Sequence, residues 1–257
     1  MDLLVLLSIG IALGLALGLF GGGGGILAIP LLVAAGVPTD EAGTTSLVVV
    51  GIGAIGGLIP HARAGRVAWG EGAVFGALGV LGAMAGSVLA ILADDTLQLW
   101  AFAGVLVLAG ALMLRRALAS SPAASDPETA SDSPNRSRKT WPLIIVTAAA
   151  VGLFTGFFGV GGGFLVVPAL VLVMGMSLHR ATATALLVIV INSAAAFIPR
   201  AGQALDGQAV VVVAAAVLVT SAVSARWSNR WSEKSLGVGF AALVLGMAAL
   251  TVAQAAS

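Results

Sequence analysis

The stretch "GLFGGGGGILAIP", residues 18–30, sets five successive glycines inside an apolar run and closes on a proline. Glycine costs about 1 kcal/mol relative to alanine in a helix interior, because its backbone gives up more freedom on ordering. Five in a row predict that a membrane-type helix is interrupted here. The pattern returns as "GFFGVGGGFLVVP", residues 156–168: Gly18 matches Gly156, Phe20 matches Phe158, Gly23 to Gly25 match Gly161 to Gly163, and Pro30 matches Pro168. After a slip of one residue the match continues, "DEAGTTSLVV" with "HRATATALLV" and "LIPHA" with "FIPRA". The chain is an internal duplication.

The composition fits only a membrane-embedded chain. Of 257 residues 59% are hydrophobic and 9% charged, with a mean hydropathy of +1.10, which predicts an all-α polytopic membrane protein. Twelve Lys and Arg nearly cancel eleven Asp and Glu, so no basic field for nucleic acid stands out. The absence of cysteine excludes thiolate metal sites and cysteine nucleophiles, and two histidines leave little for metal chemistry. The start "MDLLVLLSIG" lacks the basic region of a secretory signal and is read as retained. No cofactor is expected.

Eight apolar segments follow: Leu3–Gly36, Ala42–Pro60, Gly70–Ala93, Leu97–Leu114, Trp141–Gly175, Ala181–Pro199, Gln208–Ala225 and Ser235–Ala253. Four stand on each side of a Ser-, Pro- and Asp-rich stretch read as a disordered tether. The expected organisation is an N-terminal membrane repeat over 1–118, a linker over 119–140 and a C-terminal repeat over 141–257. A continuous helix over the first segment would rise about 50 Å at 1.5 Å per residue, too long for one crossing. The first and fifth segments are therefore each expected to be a broken pair or a re-entrant hairpin.

Basic residues suggest which way round the halves sit. Arg115, Arg116, Arg136, Arg138 and Lys139 mark the linker as cytoplasmic, and Arg226, Arg230 and Lys234 mark the last loop. His61, Arg63 and Arg66 agree, while Asp94 and Asp95 fit the outside. Counting crossings from these loops gives two repeats of opposite orientation and an external C-terminus. Inverted repeats are a transporter signature.

Non-helical backbone survives at membrane depth only where protein or a polar cavity covers it. Packing alone accounts for isolated glycines. Clustered glycines opening a helix also turn several N–H groups toward one point, making an anion-binding nest at the positive end of a helix dipole. On that reading a side chain at Gly24 or Gly162 obstructs a positive-φ geometry or the ligand's approach, whereas Gly104 and Gly110 affect packing at most. Neither copy carries the Gly-Lys-Ser/Thr ending of a phosphate loop.

Paired "GxFGxGGGxxxxP" stretches, each followed by a hydroxyl-bearing helix such as "GTTSLVV" or "ATATALL", resemble the sulfite exporter TauE/SafE family of bacterial membrane permeases. The resemblance covers nearly the whole chain outside the linker. It implies transport of small sulfur-containing anions, such as sulfite, sulfoacetate and related sulfonates, with thiosulfate or other organic acids in some members.

The substrate-binding candidates are Gly23, Gly24, Gly25, Gly161, Gly162 and Gly163 with the hydroxyls of Thr44, Thr45, Ser46, Thr182 and Thr184, which either complete an anion's hydrogen bonds or bond back to their own helix. Asn192 and Ser193 lie mid-segment, where an amide needs either a substrate or an interhelical partner. His61 and Arg200 follow the two "IP" pairs and are candidates for a gate on the anion path, against the plainer role of topology anchors. No Asp or Glu falls deep in an apolar segment, so no proton relay is visible. A secondary carrier leads, with an anion channel or a permease for another small organic anion as alternatives. An intramembrane enzyme lacks a nucleophile–base pair and paired carboxylates. The expected partners are a small anionic substrate and the lipid bilayer, and a homodimer is allowed.

Overall fold

The break expected in the first apolar run falls at Gly21 and Gly22. In this computed structural model, which describes residues 3–91, 95–119, 134–158, 163–198, 205 and 207–255, helix α1 (Leu3–Phe20) ends where Gly21 takes φ +70°, a conformation that L side chains rarely adopt. The Gly21 N–H donates to the Leu17 carbonyl at 2.8 Å, closing the last turn. Helix α2 (Gly23–Ala34) then doubles back, setting Gly24 against Leu13 and Leu17.

Helix α3 spans Thr39–Arg63, α4 Trp69–Ile91, α5 Asp95–Ala119 and α6 Pro134–Phe158. The sequence predicts a linker over 119–140, yet α6 begins at Pro134, inside it. Proline has a preset φ and no donor to lose in a first helical turn, and this extends the helix beyond its apolar part, Pro142–Phe158. The rest of the expected tether, 120–133, lies outside the described residues. Helix α7 (Gly163–Pro168) passes at its proline into a π-helical turn, Ala169–Val173. Proline removes a ladder donor and the wider turn reorients carbonyls. One of them, on Val171, accepts from the Arg116 guanidinium of α5. Helices α8 (Leu178–Phe197), α9 (Gly207–Trp227) and α10 (Glu233–Ala255) complete the chain. Every described element is helical, and seven helices are long and apolar enough to cross a membrane, the apolar part of α6 falling just short.

Glycines fix how the helices meet. On α1, Gly10 lies against Val213 and Ala216, Gly14 against Val217 and Thr220, and Gly18 against Ser221 and Ser224, so α1 and α9 run in the same direction in close contact. The corresponding elements of the two halves repeat this arrangement: Gly152 lies on Gly79, Gly156 on Ala83, and Gly86 on Leu153, so α6 and α4 also run together. Small residues let backbones approach where lipid offers no hydrophobic drive. Helix α3 crosses α8 in the opposite sense, Gly51 facing Ser193 and Gly57 facing Leu186, and α5 likewise opposes α10, with Gly110 on Ala241 and Leu245 and Gly237 on Ala117. Two buried clusters result, one around Leu13, Leu17, Val213 and Val217, the other around Phe75, Phe164, Leu170 and Phe240.

These directions assign the helix ends to two faces. α3, α5, α9 and α1 start at one face, while α4, α6, α8 and α10 start at the other. Arg63, Arg66, Arg115, Arg116, Arg180, Arg226, Arg230 and Lys234 all fall at the second, basic face.

Candidate functional site

The two helix breaks converge inside the bundle. A Cβ on Gly22 would overlap the carbonyl of Gly163, and one on Gly163 would lie 3.2 Å from the Gly22 Cα and closer still to Ile189. The starts of α2 and α7 are thus in backbone contact. The Gly22 position caps α2 without a side chain, which leaves the first N–H groups of that helix unsatisfied by any cap and concentrates the positive end of its dipole at the junction.

A cavity of about 440 Å³ borders this junction. Its walls come from α2 (Gly25), the early part of α3 (Ser46, Leu47, Val50), the late part of α4 (Val80, Ala83, Met84, Ser87), α6 (Thr155), α7 (Gly163) and the late part of α8 (Ile189, Asn192, Ser193, Ala195, Ala196). By those positions it occupies the half of the bundle away from the basic face. Its polar lining is neutral: three serines, a threonine, one amide and glycine backbone. The Thr155 hydroxyl and the Asn192 amide oxygen are buried with no protein partner, and an unpaired buried polar group costs about 1–3 kcal/mol. Such a set offers hydrogen bonds to an anion without a fixed counter-charge.

The sequence candidates divide accordingly. Gly25, Gly163, Ser46, Asn192 and Ser193 line the cavity, although the Ser46 hydroxyl also donates to its own helix at the Gly43 carbonyl, 2.8 Å away. Gly23 faces Leu243 and Phe20, and Gly24 sits inside the first turn of α2, packed on α1. The positive-φ residue expected at Gly24 is Gly21, because α2 is already regular helix from Gly23 onward. Thr44 and Thr45 are buried away from the cavity. Thr182 packs on Gly21 with its hydroxyl unpartnered. Thr184 has a structural task, accepting the Ala68 N–H at 3.1 Å and so tying α8 to the start of α4. His61 is buried at the end of α3, and neither ring nitrogen makes a hydrogen bond, the Gly18 carbonyl facing it outside good geometry. Gly161, Gly162 and Arg200 lie outside the described residues.

Thr155 and Ser87 were not legible as site residues. Each is a single hydroxyl in an apolar run, and the duplication gives no hint at Thr155, which aligns with Leu17.

A "Probable membrane transporter protein" of Xylella fastidiosa (strain Temecula1) is 40% identical over 190 residues, covering 73% of this chain and 70% of its own. A "Probable membrane transporter protein YdhB" of Bacillus subtilis (strain 168) is 26% identical over 179 residues, 69% of this chain and 70% of its own. No solved structure matches the chain. The sequence profile described as "Sulfite exporter TauE/SafE" matches residues 6–251, and with helices long enough to span a bilayer and transporter relatives beside it, the chain belongs to the sulfite exporter TauE/SafE family and is a multi-pass membrane transporter.

Proposed function

We propose that this transporter is a secondary carrier that exports small sulfur-containing anions, such as sulfite or sulfoacetate, by alternating access through the cavity at the two helix breaks. The observation that carries this reading is the backbone contact of Gly22 with Gly163 beside a neutral, hydrogen-bonding cavity. Helix N-termini and the donors of the lining, the Thr155 hydroxyl and the Asn192 Nδ2 among them, favour an oxyanion. Lacking a lysine or arginine in the described lining, the site releases what it binds, as a carrier must.

The helix directions support inverted repeats, since α1 opposes α6 and α3 opposes α8, each pair being counterparts in the duplication. The gathering of Lys and Arg at one face supports a cytoplasmic basic face in a bacterial inner membrane, with both termini and the cavity mouth toward the outside. Purified protein reconstituted in liposomes and preloaded with unlabelled sulfoacetate, sulfite or thiosulfate is expected to show saturable counterflow of the same labelled anion. A linear, unsaturable flux would favour a channel, and no flux with any of the three while a carboxylate control moves would overturn the sulfur-anion reading.

A further inference from the structure

The duplication pairs each helix contact with a counterpart, and one pair is closed unequally. Where α8 meets α4, Asn192, Ala195 and Ala196 face the cavity. In the duplication these residues align with Gly53, Gly56 and Gly57 of α3, which faces α9. There the space is filled: a Cβ on Gly56 would lie 2.5 Å from the Leu218 carbonyl oxygen, and one on Gly53 would crowd Val217 and Leu17. The Ser221 hydroxyl crosses this seam to donate to the Gly53 carbonyl at 2.7 Å. The inner walls are common to both sides, because Gly25 aligns with Gly163 and Val50 with Ile189, and all four line the cavity.

We infer that the α3–α9 seam is a second, closed access path to the same site, opening toward the basic face as the α4–α8 cavity shuts, with Gly53, Gly56 and Ser221 on its walls. This rests on the carrier reading. The glycine-packed pairs α1–α9 and α4–α6 are the units that move, each keeping its own contacts. Opening breaks the Ser221–Gly53 hydrogen bond and the apolar contacts of Gly53 and Gly56 with Val217 and Leu218.

Because the chain has no cysteine, the seam can be read with single thiols in oriented proteoliposomes. Ser221→Cys, with Val217→Cys, which also packs on Gly53, as a replacement if the first is not monodisperse, is expected to react with an impermeant maleimide only from the basic face, at least tenfold more slowly than Ser193→Cys reacts from the opposite face. In a double variant, prior modification of Ser193→Cys with a bulky maleimide is expected to slow Ser221→Cys a further tenfold or more, since a wedged cavity holds the seam shut. A folded Ser221→Cys protein that never reacts, reacts from the wrong face, or reacts at a rate indifferent to the wedge overturns the seam as an access path. An inert Ser193→Cys beside a reactive Ser221→Cys removes the cavity from the carrier reading while keeping the seam, and inertness of both overturns the two together. Labelling needs no substrate, so it is decided independently of the counterflow assay.

Discussion

Asn192 and Thr184 show how similar polar residues on one helix take different tasks. The Asn192 amide oxygen faces the cavity without a protein partner, whereas the Thr184 hydroxyl accepts a backbone N–H from Ala68. Asn192→Ala, which removes the Nδ2 donor of a cavity-lining residue, is expected to lower anion affinity about tenfold, or about 1.4 kcal/mol, with little change in thermal stability. Thr184→Val is expected to cost about 1 kcal/mol of stability by orphaning that N–H and to leave affinity of the folded protein unchanged. Thermal melts and equilibrium binding on the same preparations separate the two. Among glycines the geometry ranks the outcomes: Gly23→Ala meets ordinary contact at 3.4 Å and is tolerated, while Gly22→Ala collides with the Gly163 backbone and is expected to abolish folded yield. Gly24→Ala drives a methyl into Leu17, so stability is expected to fall with or before binding. Of the two control positions only Gly104 has open space, since a methyl at Gly110 would lie 2.7 Å from Leu245 Cγ. A Gly23→Ala protein less stable than wild type would contradict this ranking.

At the scale of elements, the breaks were legible because five glycines have no other use in an apolar run, and the duplication confirmed their register. The division into eight apolar segments survives, with each broken segment resolved into a long helix and a short one. What sequence could not supply was partner choice. Gly14 and Gly18 announce a close contact, but the partner, α9, lies some two hundred residues further along, and no local pattern names it. Cavity membership was hidden for the same reason: the late turns of α4 and α8 form a wall only because α6 holds α4 in place. Ser224 donates to the Gly14 carbonyl at 3.1 Å and to its own helix at Ser221, so Ser224→Ala is expected to cost about 0.6 kcal/mol, the average for interhelical hydrogen bonds in membranes. A melt unchanged within error would show the α1–α9 pairing to rest on glycine packing alone.

For the molecule as a whole, the basic face predicts orientation. Leu205→Cys, exposed near the start of α9, is expected to react with an impermeant maleimide in intact cells, and Ser232→Cys, exposed before α10, only after lysis. The reverse pattern would invert the assigned topology and with it the direction in which the cavity opens.

The cross-pairing of α1 with α9 and of α4 with α6 also bears on how the protein is made. The first helix to leave the ribosome must wait in the bilayer, its glycine face bare, until nearly the whole polypeptide has been synthesised and α9 arrives. The long helices of each half take their main partners from the other, α1 from α9, α3 from α8 and α9, α4 from α6 and α5 from α10, so each half is a fragment of one fold rather than a module that matures alone. Residues 1–127 and 128–257 expressed separately are expected to be degraded, and expressed together to co-purify as a complex that survives detergent. Stable accumulation of either fragment by itself would mean that assembly proceeds half by half.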